Sequence, residues 1–219
     1  IETIGGVMTK IIMRNSTIPA SAHEMFTTYV DNQTGVDIHV LQGEREMVAD
    51  CRSLARFTLK VPPLPAGMVR VEVKFLIDAN GILNVTARDV RTNVERSIDV
   101  KPSYGLTDEQ VEQMLMDSIE NAEQDFARRM FIEARSEAES VLRALDKALK
   151  SDSAGQIDPE ERKRIDEVVA ELRAAMEGTD HRAVRGWLKK LNETTLRLAE
   201  LMMDSAVQAA LKDKKLAEV

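Results

Sequence analysis

The hydrophobic positions of this chain change their period close to residue 105. Before it they alternate: Val71, Val73, Phe75 and Ile77 fall on one side of an extended segment, the period-two pattern of a strand with one face inward. Asp78-Ala79-Asn80-Gly81 follows, and Asn-Gly is a strong hairpin signal because both residues tolerate positive φ. The return strand runs through Leu83, Val85 and Ala87. A second alternating run, Val36, Ile38 and Val40, follows the turn-like Asp31-Asn32-Gln33-Thr34-Gly35, and a third, Val94, Arg96, Ile98 and Val100, closes the region. Pro62, Pro63 and Pro65 cannot donate ladder hydrogen bonds, so residues 61–65 read as a loop. Several short strands at this spacing predict a β-sandwich over residues 1–104.

Beyond residue 105 the period lengthens to threes and fours. Thr107-Asp108-Glu109-Gln110 matches a capping box. From there to about Lys150 no Pro or Gly interrupts, and Phe126, Met130, Ala134, Ala138, Val141, Leu145 and Ala148 draw one apolar stripe. That predicts a long helix or a kinked pair. A loop is expected over Ser151 to Gln156. Asp158-Pro159-Glu160-Glu161 then restarts a helix, with Asp as N-cap, Pro at the first position and acid at the positive helix end. Its stripe is Ile165, Val168, Leu172 and Met176, and Gly178 is expected to end it. A last stretch carries Val184, Trp187, Leu191, Leu198, Leu201 and Met202. Amphipathic helices with short connections predict an antiparallel bundle over residues 105–219.

Composition sharpens this division. Residues 1–104 hold twelve basic and twelve acidic residues, so the net charge of −7 lies wholly in the second half, while five of six prolines lie in the first. An acidic chain is a poor non-specific partner for nucleic acid, which needs a basic face. No run of about 18 apolar residues supports a membrane span. There is no signal peptide and no initiator Met, so Ile1 reads as a cut into a longer protein. Cys51 is the single cysteine and reads as a small hydrophobe. His23, His39 and His181 are scattered, without zinc-site spacing. A reducing, cytoplasmic compartment is expected.

Catalytic signatures are missing. No Gly-x-Ser-x-Gly elbow, P-loop or dinucleotide fingerprint occurs. Gly5-Gly6 reads as a backbone bend rather than a phosphate loop, and the carboxylates of the helical half read as solvated faces. The expectation is that the chain is not an enzyme.

Ile1-Glu2-Thr3-Ile4-Gly5-Gly6-Val7-Met8, Asn15-Ser16-Thr17-Ile18-Pro19 and Ile38-His39-Val40-Leu41-Gln42-Gly43-Glu44-Arg45 closely resemble the substrate-binding region of the seventy-kilodalton heat-shock chaperones, the DnaK family. Asp78 to Ala87 and Gly105-Leu106-Thr107-Asp108 continue the likeness. Asp50-Cys51-Arg52-Ser53-Leu54-Ala55-Arg56-Phe57, Lys101-Pro102-Ser103-Tyr104-Gly105-Leu106-Thr107-Asp108 and the ending Leu216-Ala217-Glu218-Val219 are more similar to the specialised bacterial branch that serves iron–sulfur cluster assembly.

The resemblance implies a β-sandwich followed by an α-helical lid bundle, forming a C-terminal substrate-binding fragment. It also implies that the ATPase domain lies outside this chain, so that no cofactor is expected here, with ATP and Mg²⁺ held by the missing domain. An extended hydrophobic or proline-containing peptide would lie in a groove whose central pocket is walled by Ile1, Phe26, Val36, Ile38 and Val71, with Thr3, Val7 and Thr27 nearby. Ile4 and Tyr29 would arch over the bound backbone, with the bulk shifted to Tyr29. The family's lid latch keeps Asp31, but Ala66 stands at the sandwich arginine position, and Glu139 and Arg143 stand at the lid positions. The implied client is the iron–sulfur scaffold protein and the implied co-chaperone is of the J type, acting through the full-length protein. The alternatives are a general DnaK chaperone with broad unfolded clients, or a helical docking module.

Overall fold

The computed structural model describes residues 1–101, 106–151 and 155–217, with side chains described as far as residue 205 and at 207. The first part holds eight strands: β1 (Glu2–Thr3), β2 (Val7–Met8), β3 (Ala20–Phe26), β4 (Gly35–Gln42), β5 (Arg52–Lys60), β6 (Val71–Ile77), β7 (Leu83–Asp89) and β8 (Glu95–Val100). Five helices follow: α1 (Asp108–Glu120), α2 (Ala122–Ala148), α3 (Pro159–Met176), α4 (His181–Thr194) and α5 (Leu196–Ala217).

The alternating runs become β4, β6, β7 and β8; in β6 and β7 the inward residues reach full burial, with Val71, Val73, Val85 and Ala87 each 0% exposed, whereas in β8 Ile98 and Val100 are only half-buried and Val94, before the strand, is exposed. Each of the fully buried valines contributes roughly 1.5–3 kcal/mol of burial free energy, and the methyl of Ala87 less. The β6–β7 turn is longer than a two-residue hairpin, and of its residues only Gly81 takes positive φ. The Asp78 carboxylate accepts from the N–H groups of Asn80 at 2.8 Å and Ile82 at 2.9 Å, and those bonds hold it below the usual carboxylate range. β3 and β5 escape the pattern. β3 is an edge strand, exposed along most of its length, paired with β6 from Ala20↔Ile77 to Phe26↔Val71. The β4–β5 ladder shifts register between Val40 and Leu41, which interrupts the alternation of β5.

The expected β-sandwich with a lid bundle is corrected in two respects. The strands form three separate antiparallel sheets, β1–β2, β3–β6–β7–β8 and β4–β5. β1 and β2 stay two residues long because Gly5 and Gly6, both at positive φ, turn the chain between them. The four-stranded sheet and the β4–β5 ladder nevertheless share one core. The helices, in turn, are not one body. The chain divides into compact units Ile1–Phe126 and Ala127–Val219, so α1 and the first residues of α2 belong with the strands. The expected boundary at Tyr104/Gly105 falls outside the described residues, as do half of the Lys101–Asp108 motif, part of the expected 151–156 loop and the last two residues.

The helix ends follow the capping signals. Thr107 and Gln110 close the capping box, with Gln110 N–H donating to Thr107 Oγ1 at 3.3 Å and Thr107 N–H donating to Gln110 Oε1 at 3.0 Å. The kink is a true break: Asn121 ends α1 and its side-chain amide donates to the Asp117 carbonyl at 2.8 Å. Asp158 caps α3, with Pro159 in its first turn. A second break separates α4 from α5 at Thr195, whose hydroxyl donates to the Leu191 carbonyl at 2.9 Å. The core of the second unit gathers Ala134, Ala138, Leu142 and Leu145 with the predicted stripe of α3. Phe126 departs from expectation: it is 61% exposed, and Leu142 takes the inward place its register offers.

Candidate functional site

The residues expected around a central pocket come together. β4 places Val36 and Ile38 on one side by its period of two, and the β3–β6 register sets Phe26 directly opposite Val71. Ile1, Ile38 and Val71 are buried in the shared core, and Phe26 and Val36 pack against it half-buried. Among the described residues β4 has a ladder partner on one side only, β5, so its other edge carries strand donors and acceptors outside any described ladder. Tyr29 is half-buried, and its N–H donates to Gln33 Oε1 at 3.1 Å while Gln33 Nε2 donates to the Gly35 carbonyl at 2.7 Å. One amide thus ties the 29–35 loop at both ends. Ile4 is 47% exposed at the β1–β2 turn. Thr3 and Thr27 point their hydroxyls at the chain itself, donating to the Val7 carbonyl at 3.1 Å and the Val69 carbonyl at 2.7 Å. Val7 is buried and bridges Met47.

The expected latch residues find partners near home. Asp31 accepts from the Ala66 N–H at 2.9 Å. Glu139 lies between Arg135 at 3.4 Å and Arg143 at 4.0 Å on its own helix. Asp31 and the Glu139–Arg143 pair belong to different compact units.

A stronger pair went unread in the sequence. Arg45, in the turn after β4, donates twice to Asp125 in the first turn of α2, Nε to Oδ2 at 2.5 Å and Nη2 to Oδ1 at 3.0 Å. The Glu46 N–H adds a third donor to that carboxylate at 3.4 Å. The carboxylate holds the Arg45 proton more firmly than usual, through the side-chain hydrogen bond first. Nothing local in the sequence pairs residues 80 positions apart.

His39 also went unread. It is 7% exposed, with Nδ1 at 2.6 Å from Glu2 and Nε2 at 2.8 Å from Ser53 Oγ. Serine, histidine and carboxylate follow one another as in an acyl-transfer triad. Arg56 Nη2, however, lies 2.8 Å from the same Nδ1 and 3.1 Å from Glu2, so the guanidinium competes for the nitrogen that a triad reserves for its carboxylate. The cluster reads as a strut joining β1 to the β4–β5 ladder. Beside it, a Cβ added at Gly43 would stand 2.9 Å from Cys51 Sγ, and burial pushes the Cys51 thiol up.

Every ladder among the described residues is antiparallel, and these residues form no strand–glycine–helix unit, one arrangement that cradles phosphate. Among the described residues no group of three or more His, Cys, Asp or Glu is arranged to hold a cation. No helix described is long and apolar enough to cross a membrane.

The chain matches the family described as Hsp70 protein over residues 1–204. All of it aligns with chaperone protein HscA of Cronobacter sakazakii at 49% identity, and with the HscA homologs of Ralstonia pickettii at 47% and Tolumonas auensis at 46%. It spans only 35–36% of the length of these relatives. Several expectations do not stand on these matches. That the chain is specifically a C-terminal substrate-binding fragment, that it is not an enzyme and that it takes no cofactor all assumed that the ATPase of the family lies elsewhere. A shared third of a relative's length assigns neither a place nor an activity to that third. What the matches carry is the family: this chain belongs to the Hsp70 chaperones, in the company of HscA.

Proposed function

We propose that this part of an Hsp70-family chaperone holds an extended apolar segment of a client protein against the β4 side of the first unit. The observation that carries the reading is the juxtaposition of half-buried Phe26 and Val36 on a core of Ile1, Ile38 and Val71, beside a strand edge outside any described ladder. An apolar seat takes a client side chain, and a strand edge takes its main-chain hydrogen bonds by strand addition. Ile4 and Tyr29 flank the seat and set which side chains enter. Asp31, Glu139 and Arg143 are proposed to influence how long the peptide stays bound, each through exposed pairs worth about 0–1 kcal/mol.

We further propose a narrow client range, as the resemblance read in the sequence implies. The proposed client is the iron–sulfur scaffold protein in the cytoplasm, presenting a short Pro- and Val-containing segment, with a J-type co-chaperone acting through the full-length protein. A proline-containing segment suits such a seat because it loses little conformational freedom on binding. Fluorescence anisotropy with a scaffold-derived proline peptide and a generic Leu-rich heptapeptide tests this, with Val36→Phe as the blocked variant. Tight binding of the first peptide alone, lost in Val36→Phe, is the expected result. Equal binding of both would favour a general DnaK-like client range. Binding of neither would overturn the reading.

A further inference from the structure

The Asn80-Gly81 pair of the β6–β7 turn carries reactive chemistry as well as a bend. It is the only Asn-Gly pair in the sequence. Asn80 is exposed, and a Cβ placed at Gly81 would meet nothing within 4 Å, so water reaches the pair. Glycine puts no side chain beside its own nitrogen, which leaves the Gly81 nitrogen open to close a ring on the Asn80 side-chain amide. The turn opposes that step. The proton that must leave the Gly81 nitrogen is donated to the Asp78 carbonyl at 3.0 Å, and the Asp78 N–H donates to the Ile82 carbonyl at 3.0 Å. The Asp78 carboxylate holds the N–H groups on either side, Asn80 at 2.8 Å and Ile82 at 2.9 Å, and bonds to an ionised acceptor are the stronger kind. Ring closure therefore waits for the turn to open, which a surface turn does without unfolding the sheet it joins.

We propose that Asn80 is a site of spontaneous modification, converted to aspartate and isoaspartate through a succinimide, at a rate set by the Asp78 turn. Hydroxide takes the Gly81 amide proton, and the nitrogen lone pair forms a bond to Asn80 Cγ. The Cγ–Nδ2 bond breaks, and Nδ2 takes a proton from water and leaves as ammonia. Water then opens the ring at either carbonyl. Breaking the bond from nitrogen to Cγ gives aspartate, and breaking the bond from nitrogen to the Asn80 main-chain carbon gives isoaspartate. Isoaspartate lengthens the main chain by one carbon within the turn that brings Ile77 opposite Leu83. The reaction needs no partner but water and is independent of client binding.

The 219-residue chain and the free peptide Phe75–Arg88, which trypsin also releases from the chain, are incubated in parallel at pH 8. Mass spectrometry with fragmentation then separates conversion at Asn80 from any at Asn84. Asn80 should convert in the folded chain about ten- to a hundredfold more slowly than in the free peptide, the worth of one bond to a carboxylate kept. Asp78→Ala should bring that ratio within about threefold, each variant being compared with its own free peptide. Asp78→Asn, a weaker acceptor, serves if the alanine variant fails to fold, and the ratio in the parent chain decides the matter in any case. Asn80→Gln should show no conversion at that position over the same time. Equal rates in the parent chain and its peptide, no conversion in the chain after about a hundred peptide half-lives, or an Asp78→Ala ratio equal to the parent's would each overturn the proposal.

Discussion

Asp125→Ala should loosen the start of α2 without unfolding the strands beneath it. The carboxylate is 6% exposed and receives three donors, while its partner Arg45 is 17% exposed. Removing one member of a buried pair costs about 3–5 kcal/mol, because the other charge is left desolvated. Two features reduce that figure. Arg45 keeps Asp50 at 3.5 Å, and its partial exposure lets water reach the guanidinium. The first-turn position of Asp125 adds about 0.3–1 kcal/mol of helix-dipole stabilisation that is also lost. A net cost of about 2–3 kcal/mol follows, equivalent to roughly 30- to 150-fold in an opening equilibrium. Global denaturation is a poor readout in a chain of two compact units. Native-state hydrogen exchange suits the question, since it resolves local opening. Amides at residues 122–126 and at Glu46 should exchange faster by that factor, while those of Val73 and Val85 stay unchanged. Arg45→Ala should give a similar effect, and the double variant far less than the sum of the two. If Asp125→Ala alters exchange at 122–126 by less than about twofold, the pair is not the fastening inferred from its geometry.

Thr107→Ala removes half of the capping box and should cost about 1 kcal/mol of α1 stability, read as faster exchange over residues 108–112 against unchanged α3. The depressed Asp78 carboxylate stabilises the β6–β7 turn above the ordinary aspartate range, and that contribution fades as pH falls through its folded value. Protection of the Ile82 amide against hydrogen exchange should accordingly be weaker in Asp78→Asn than in the parent at neutral pH and converge with it in acid; a difference independent of pH would refute the assignment. Because burial raises the Cys51 thiol, iodoacetamide should label it at pH 8 more slowly than it labels a free cysteine peptide, and urea should remove the difference. Arg143→Glu should speed peptide release if Arg143 takes part in retaining the peptide, and an unchanged off-rate would argue against that role.

The core was legible where periodicity is strict. Val71, Val73, Phe75, Val85 and Ile165 announce their burial by spacing alone, and Thr107 and Asp158 announce their helices by chemistry that acts within three residues. The candidate seat was half legible. Val36 and Ile38 share a face by simple alternation, but only the register of β3 against β6 sets Phe26 opposite Val71, and register is a long-range choice. Arg45–Asp125 and Glu2–His39–Ser53 were invisible for the same reason: each joins residues that no local rule connects. Phe126 shows the opposite failure: its spacing fits the apolar stripe of α2, yet it is 61% exposed and belongs to the first unit, while the buried part of that stripe lies in the core of the second.

Gly43 and Cys51 carry a consequence for how this sequence can drift. A methyl group at 43 would strike the Cys51 sulfur and press on its Cβ and Cα at 3.3 and 3.4 Å, so the two positions share one small volume. Position 43 therefore cannot gain a side chain while Cys51 keeps its place. A library at 43 alone should return glycine almost exclusively, and any folded non-glycine residue recovered there should come with a change at 51.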